Sequence, residues 1–466
     1  MQIPILNGIT TDTAGDFRRS YPVNMVPVPV DQGISQGYIR PGSGIVESGT
    51  GPGVDRGGYN WNDVCFRVMG TKLVSIDEFG VVTEIGDIPG SDLVKFTQDF
   101  NRIAIAADNR LFFYDGTIIE ENTDPDLGRV VDVEWQGGYF MTTDGENLVV
   151  TELNDHLAVD PFKYGSSEAD PDPVVGLLRL RNEIYAFNRY TAELFQNVGG
   201  TGFPFQRIVG AQLQRGAVGR DAIAIFLERI AFIGSGRNEK PRVYLGSSGN
   251  TAPISTREIE DLITQYTEEV LSKVKRESRI DRAHQFLWIH LPNQTLVYDA
   301  AASSVAQEPI WHILTSTKEG FSQYRAKNLV WCYNKWLVGD PASARHGYLD
   351  DSLSAHWAET IYWQFDTIMM YNESRGALIH SLELVGLPGR SAFGEEPTVS
   401  TQFTLDGLKW SQRRTISAGS RGDTLKRMQW LAQGEFRNYR SQRFNGTSDT
   451  FVSFARLQAR VEPLLW

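Results

Sequence analysis

Seven histidines, two cysteines and 57 carboxylates are the groups in this 466-residue chain with the most chemistry in them. Their spacing argues against catalysis. A metal site needs clustered ligands, yet histidines 156, 284, 290, 312, 346, 356 and 380 form no His-x-x-x-His pair, and Cys65 and Cys332 are far apart. The flanks Val64-Cys65-Phe66 and Trp331-Cys332-Tyr333 read as strand interiors, so both thiols are expected in the core. Two cysteines make no disulfide framework, which fits synthesis in a reducing cytoplasm. Gly199-Gly200-Thr201-Gly202 lacks the Lys-Ser/Thr and the helix start of a phosphate loop. Gly42-Ser43-Gly44 and Gly234-Ser235-Gly236 lack the Gly-x-Ser-x-Gly spacing of a nucleophile elbow. Thr404–Trp410 approaches the Asp-box of propeller glycosidases, but no residue separates Asp406 from Gly407 and the motif occurs once, so it reads as a hairpin turn. Glu395-Glu396 sits beside Pro397 in a loop, and the spatial separation that decides glycosidic chemistry is not a property of sequence. The expectation is no enzyme: no catalytic residue, no cofactor and no metal.

The charge is the next clue. The formal net charge is −12, the wrong sign for a general nucleic-acid binder. It is also uneven. Residues 373–466 hold 13 Lys+Arg against 9 Asp+Glu, a net of +4, which leaves −16 for the first 372. A mildly basic tail of this kind suits an acidic partner surface. No run reaches the roughly 18–20 apolar residues of a membrane span. Met1-Gln2-Ile3-Pro4 carries neither a basic n-region nor an apolar h-region, so no signal peptide and no membrane insertion are expected.

The elements that would position any site are strands. Aromatic residues make up 11% of the chain and 44 glycines supply turns, a composition that favours many short strands. The length predicts two or three folding units. Residues 1–55 are rich in proline (22, 27, 29, 41, 52) and glycine, and read as an extended arm lying on another surface. Deleting residues 1–50 is then expected to leave a folded but assembly-defective monomer. From Tyr59 the pattern turns to hairpins: Cys65–Met69 with Leu73–Ile76, then Leu111–Tyr114 with Thr117–Ile119 across Asp115-Gly116. The grammar recurs at intervals suited to the four-stranded blades of a β-propeller, so residues 56–372 are read as six to seven degenerate blades. One inserted helix interrupts them. Ser255 and Glu258 form its capping box, and Ile259, Leu262, Ile263, Tyr266, Val270 and Val274 fall at helical spacing. On that stripe Leu262 and Tyr266 are expected to bear core packing. Residues 373–466 alternate in longer strands, as in Val399–Leu405, and read as a C-terminal antiparallel β domain. The fold class is all-β.

An ordered series of stretches resembles the packaged-DNA stabilisation proteins of short-tailed bacteriophages, also called tail accessory factors or head-completion and tail hub proteins. Near the N-terminus these are Tyr21-Pro22-Val23-Asn24-Met25, Gly37–Gly42 and Phe66–Leu73. The most specific block is Ala252–Thr256 running into Ile259-Glu260 and Tyr266-Thr267, followed by Ile289–Pro292, Leu296–Ala300 and Gly339-Asp340. The resemblance spans nearly the whole chain and weakens across 122–172 and the last sixty residues. It implies a propeller-containing subunit of a homo-oligomeric ring, six copies in the family. The ring would sit below the portal and its adaptor ring, meet the tail needle or plug and the tailspikes or tail fibres, and reside in the virion tail after assembly in the host bacterial cytoplasm. Phage DNA would pass through it without sequence-specific binding. Tyr21, Pro22, Asn24 and Met25 become interface candidates. Asp77, Glu78, Asp108, Glu120, Glu121, Asp124, Asp126 and Asp144 become candidates for an acidic channel wall, whose sign would keep it from trapping the duplex. The alternatives are a phage-associated propeller glycosidase, which lacks its repeated Asp-boxes here, and a receptor-binding module, which lacks a repetitive fibre segment.

Overall fold

Two-residue turns in which both residues take positive φ set the repeating unit. Asn62-Asp63, Asp108-Asn109, Leu227-Glu228 and Tyr333-Asn334 all lie between +50° and +60°, the type I′ geometry whose twist matches that of the strands it joins. A computed structural model gives the fold, and it describes residues 2–6, 8–10, 17–30, 35–168, 170–373, 375–389, 391, 394, 396–447 and 452–464.

Antiparallel sheets form seven blades in chain order: 55–87, 95–121, 132–166, 174–207, 216–253, 275–314 and 327–350. The first strands of successive blades pack against one another around a common axis. The Asp115-Gly116 turn joins the third and fourth strands of blade 2, but the fourth starts at Ile119 rather than at Thr117. Asp115 Oδ1 accepts from the Thr117 and Ile118 amides at 2.8 and 3.0 Å and so holds those residues in the turn.

Blade 7 takes its outermost strand from far away. Gly44–Thr50 pairs with Arg345–Asp350, from Asp350↔Gly44 to Arg345↔Thr50. The rest of the N-terminal segment is spoken for as well. Met25–Pro29 and Gly37–Pro41 form a hairpin that joins a sheet with Phe454–Pro463, Ala377–Gly386 and Met428–Phe436. Proline is tolerated at 27 and 29 because Met25–Pro29 is an edge strand whose outward amides face no partner. The facing sheet holds Tyr362–Asp366, Tyr439–Thr447, Thr398–Thr404 and Arg414–Ser417. Together they make a β-sandwich whose core includes Met25, Ile39, Trp363, Phe365, Trp430 and Phe454. The surface on which the arm lies is therefore this chain's own, and the sandwich draws strands from both ends of the sequence.

The single predicted helix is two, and a third exists. Helix α1 spans Arg257–Thr264 and α2 spans Glu268–Ser272. Thr256, not Ser255, caps α1 by accepting from the Ile259 amide, while the Ser255 hydroxyl donates to Glu260. Thr267 caps α2 and so breaks the run that spacing alone would continue. Helix α3, Ala300–Ala306, is capped by Asp299, which accepts from the Ala301 and Ala302 amides at 3.1 and 3.2 Å. Ile259, Ile263 and Leu271 are buried between blades 5 and 6, whereas Leu262 and Tyr266 lie half-buried at the margin. Ile263→Asp is accordingly expected to destabilise the propeller by at least the ~2–5 kcal/mol of an Ile→Ala truncation, and Leu262→Asp by less. Urea midpoints of the two variants check that order.

Candidate interaction surfaces and the axial charge network

Period-two charge patterns on the inner strands, such as Asp132-x-Glu134 and Lys275-x-Glu277-x-Arg279, put like-facing polar side chains in the middle of the fold. One chain of contacts crosses three blades. Arg67 donates to Asp55 Oδ2 at 2.9 Å and to the Asn328 carbonyl at 3.0 Å. Asn328 Nδ2 donates to the same Asp55 oxygen at 2.6 Å. The Asn328 and Leu329 amides donate to Glu277 at 3.0 and 2.8 Å, and His290 Nε2 lies 2.9 Å from it. Burial alone would raise the Glu277 carboxyl, but Lys275, His290 and the Leu329 amide outweigh it and hold it down at about 2. A Cβ at Gly339 would sit 2.1 Å from Asp55 Oδ2, so the network leaves no room for a side chain there. Blades 6, 7 and 1, the sector that the N-terminal strand closes, are thus joined by buried polar contacts.

A second group lies across blades 2, 3 and 4. Lys95 Nζ is 3.9 Å from Asp132, and Asp132 accepts from the Leu177 amide at 2.8 Å. Glu134 accepts from the Thr97 hydroxyl at 3.4 Å and from the Arg179 amide. Burial, with Asp132 adding to it, pushes its carboxyl up to about 7 against the pull of Lys95 and Arg179. A carboxyl raised from 4.5 to about 7 binds its proton more tightly folded than unfolded. Its contribution is complete below pH 4.5 and is lost as pH rises through 7. Glu134→Gln is expected to flatten that loss, worth up to about 3 kcal/mol at 1.36 kcal/mol per unit. Denaturation midpoints of both proteins from pH 4 to 8 check it; parallel pH curves would exclude Glu134 as the source. These groups tie strands together. Among the described residues no three His, Cys, Asp or Glu side chains form a metal-sized cluster.

The eight acidic candidates are spread over the turns and outer strands of blades 1–3, and none is on an inner strand. Asp77 accepts from the Phe79 and Val81 amides at 2.9 and 2.8 Å, and Glu78 shares that turn. Asp108 pairs with Arg110 at 3.0 Å, and Glu121 approaches the same arginine at 3.5 Å. Glu120 lies 3.3 Å from His156. Asp124 accepts from the Val159 and Asp126 amides, both at 2.9 Å. Asp144 accepts from the Glu146 and Asn147 amides at 2.7 and 2.6 Å. The fold shows where the charge asymmetry resides: residues 55–166, which span blades 1–3, hold 21 Asp+Glu against 8 Lys+Arg, a net of −13, and the remainder of the chain nets +1.

The four N-terminal candidates make a contact inside the molecule. Tyr21 bonds to the Thr256 hydroxyl at the cap of α1. Pro22 O accepts from the Ile313 amide at 2.8 Å, and the Val23 amide donates to Gln364 O at 2.8 Å. Asn24 donates through Nδ2 to Tyr362 O at 2.7 Å and accepts from the Thr315 amide at 3.0 Å. Met25 is fully buried in the sandwich. This segment stitches the outermost strand of blade 6 to the sandwich.

Two surfaces escaped the sequence reading. One is a groove of about 510 Å³ between blades 6 and 7, lined by Trp331, Trp336, Tyr348, Arg282 and Asp350. The other is the outer edge of blade 3, where Phe162 and Tyr164 stand exposed. Exposure of an aromatic on a strand edge has no local signature.

Residues 1–354 match the family described as bacteriophage P22 Gp10, β-propeller, and residues 362–462 match bacteriophage P22 Gp10, β-sandwich. The chain belongs to the P22 Gp10 family. It is 28% identical over 486 aligned positions to the tail hub protein gp10 of Salmonella phage P22, covering 99% of each chain. Among solved structures, the Neurospora crassa Pan2 WD40 domain gives a TM-score of 0.41 at 11% identity, over 64% of this chain and 89% of that one. The N-terminal domain of Nup159 gives 0.41 at 9%, over 70% and 99%. Scores this low add nothing to the fold argument. As a Gp10-family member the protein is a structural component of a phage tail and not an enzyme. Among the described residues no helix is long and apolar enough to cross a membrane.

Proposed function

We propose that this Gp10-family protein is one subunit of a tail ring, six copies by family resemblance. The ring joins the portal-adaptor to the distal tail, its needle or plug and its tailspikes or fibres. It retains packaged DNA and forms part of the ejection channel, within a virion tail assembled in the host cytoplasm. The observation that carries this reading is the match of both domains, end to end, to a tail hub protein. The closed propeller supports it physically, because a load-holding ring needs subunits that do not open, and a blade completed by a strand from the opposite terminus resists opening.

The acidic sector is the part proposed to face DNA. A wall carrying the −13 of blades 1–3 would repel phosphates within a Debye length of roughly 8–10 Å and let the duplex slide. Asp77, Glu78 and Asp108 supply exposed turn carboxylates for it, and Asp144 a half-buried one. Converting Asp77, Asp108 and Asp144 to Lys is expected to slow ejection, with the slowing shrinking as salt rises. Unchanged ejection would remove the sector from the channel.

The retention role has its own test. DNA-filled heads that carry the adaptor ring but lack this protein are expected to lose their DNA, and purified protein is expected to prevent the loss. Heads that keep their DNA without it would overturn the reading.

A further inference from the structure

We infer that successive copies of this chain join head-to-tail, with the outer edge of blade 3 on one copy seated against the open edge of the β-sandwich on the next. The inference deepens the ring reading and rests on it.

The first surface is an anomaly of blade 3. Its outermost strand, Asp155–Ser166, runs 12 residues, whereas the longest outermost strand elsewhere, Gly44–Thr50, has seven. Among the described residues it pairs only with Asn147–Glu152, and its register shifts twice. Phe162 is 85% exposed and Tyr164 59%. A long strand edge that exposes aromatic side chains is an association site unless something covers it. Its surroundings are acidic: Glu120, Asp124, Asp155 and Asp160 flank it. The cations there are already paired: Lys163 is bonded to Glu152 at 2.8 Å, and Arg102, beside His156, lies 3.2 Å from Asp99.

The second surface is its electrostatic complement. Arg414–Ser417 is the edge strand of one sandwich sheet, and Met428–Phe436 is the edge of the other. Arg414 donates to the Leu431 and Ala432 carbonyls at 2.8 and 3.2 Å, so the two edges meet on one side of the sandwich. Leu431 is 61% exposed there, and the flanking turns present Leu408 and Leu425 at 65% and 91%. Residues 405–432 carry six Lys+Arg against two Asp, a net of +4. Exposed apolar groups ringed by basic charge therefore face exposed aromatic groups ringed by acidic charge.

The placement of the two patches decides the symmetry. The sandwich is held at blades 6 and 7: Val23 bridges Ile313 to Gln364, and the Tyr362 amide donates to Thr317 O at 3.0 Å. In a circle of seven blades, blade 3 lies across the axis from that attachment. Two unlike patches on opposite sides of a subunit make a heterologous contact, which propagates in one direction and closes into a ring when the rotation allows. A two-fold dimer would have to engage both patches at once, which their placement on opposite sides of the subunit prevents.

The test is site-directed cross-linking in tails taken from virions. Phe162→Cys and Leu431→Cys, both at exposed positions, are combined and treated with a short bismaleimide; the native Cys65 and Cys332 are buried. The double variant is expected to give a ladder of linked chains up to the copy number of the ring, and each single variant none. A ladder from a single variant overturns the inference. So does the lack of one from the double variant when a general amine cross-linker still links the copies, and the ring reading then survives. Wild-type tails in which amine cross-linking links no two copies would overturn both. As a second arm, Phe162→Asp should keep the wild-type melting temperature, because the side chain lies in solvent, and should fail to enter tails. Entry at the wild-type level counts against the contact.

Discussion

Chains lacking residues 1–50 are expected to be recovered unfolded or aggregated, not as folded monomers waiting for a partner. The deletion removes Gly44–Thr50 and with it the six residue pairs that complete blade 7. It removes both strands of the Met25–Pro41 hairpin, and with them Met25 and Ile39, which are fully buried in the sandwich core. It also removes the Tyr21–Asn24 stitch between blade 6 and the sandwich. Truncating one buried apolar side chain costs about 2–5 kcal/mol. Val23, Met25, Val26, Ile39 and Ile45 are all buried, so their combined loss exceeds the ~5–15 kcal/mol by which a domain is stable. Soluble yield and thermal melting followed by circular dichroism check this. A soluble truncated chain with a cooperative melt near that of the full protein would show that the propeller closes without its borrowed strand. The reading of residues 1–55 as an arm led to the opposite expectation, because nothing local in a Pro/Gly-rich segment says that its partner strands lie some 300 residues on.

The second large effect is expected at the closure network. Asp55→Ala leaves the Arg67 guanidinium, wholly shielded from solvent, without its carboxylate. Breaking one partner of a buried pair costs about 3–5 kcal/mol, since the remaining charge stays desolvated. The loss is expected to fall on the blade 1–blade 7 junction, because Asn328 also loses its acceptor there. Urea midpoints of Asp55→Ala, Arg67→Met and the Asp55→Leu/Arg67→Met pair separate the causes. The double variant is expected to recover most of the stability, as a well-packed apolar pair removes the desolvation cost along with the attraction. If the double variant is as weak as the sum of the singles, the network stabilises by hydrogen bonding through Asn328 rather than by charge pairing.

The acidic sector has two proposed uses that need not compete. Asp77, Glu78, Asp108 and the half-buried Asp144 lie on turns, while Glu120 and Asp124 border the long edge strand of blade 3. A head-to-tail contact along that edge would consume the second group and leave the first for the channel. Charge reversal at the two groups is then expected to separate: assembly fails for the edge, and ejection slows for the turns.

What the sequence determined by itself is what depends on neighbours in the chain. Alternating strands, two-residue turns and the capping hydroxyls ahead of α1 are local, so the all-β class, the propeller and the following β domain were legible. Where local signals competed, the reading slipped by a residue or an element: Thr256 displaced Ser255 as the cap, and Thr267 split one helix into two. What only the tertiary structure decided is whatever joins distant segments. Seven blades, a strand from the N-terminus closing the last of them, and a sandwich built from both ends all come from pairings whose closure entropy no local pattern encodes. The axial network belongs to the same class. Asp55, Arg67, Glu277 and Asn328 are ordinary polar residues on four strands until the propeller closes and brings them against one another.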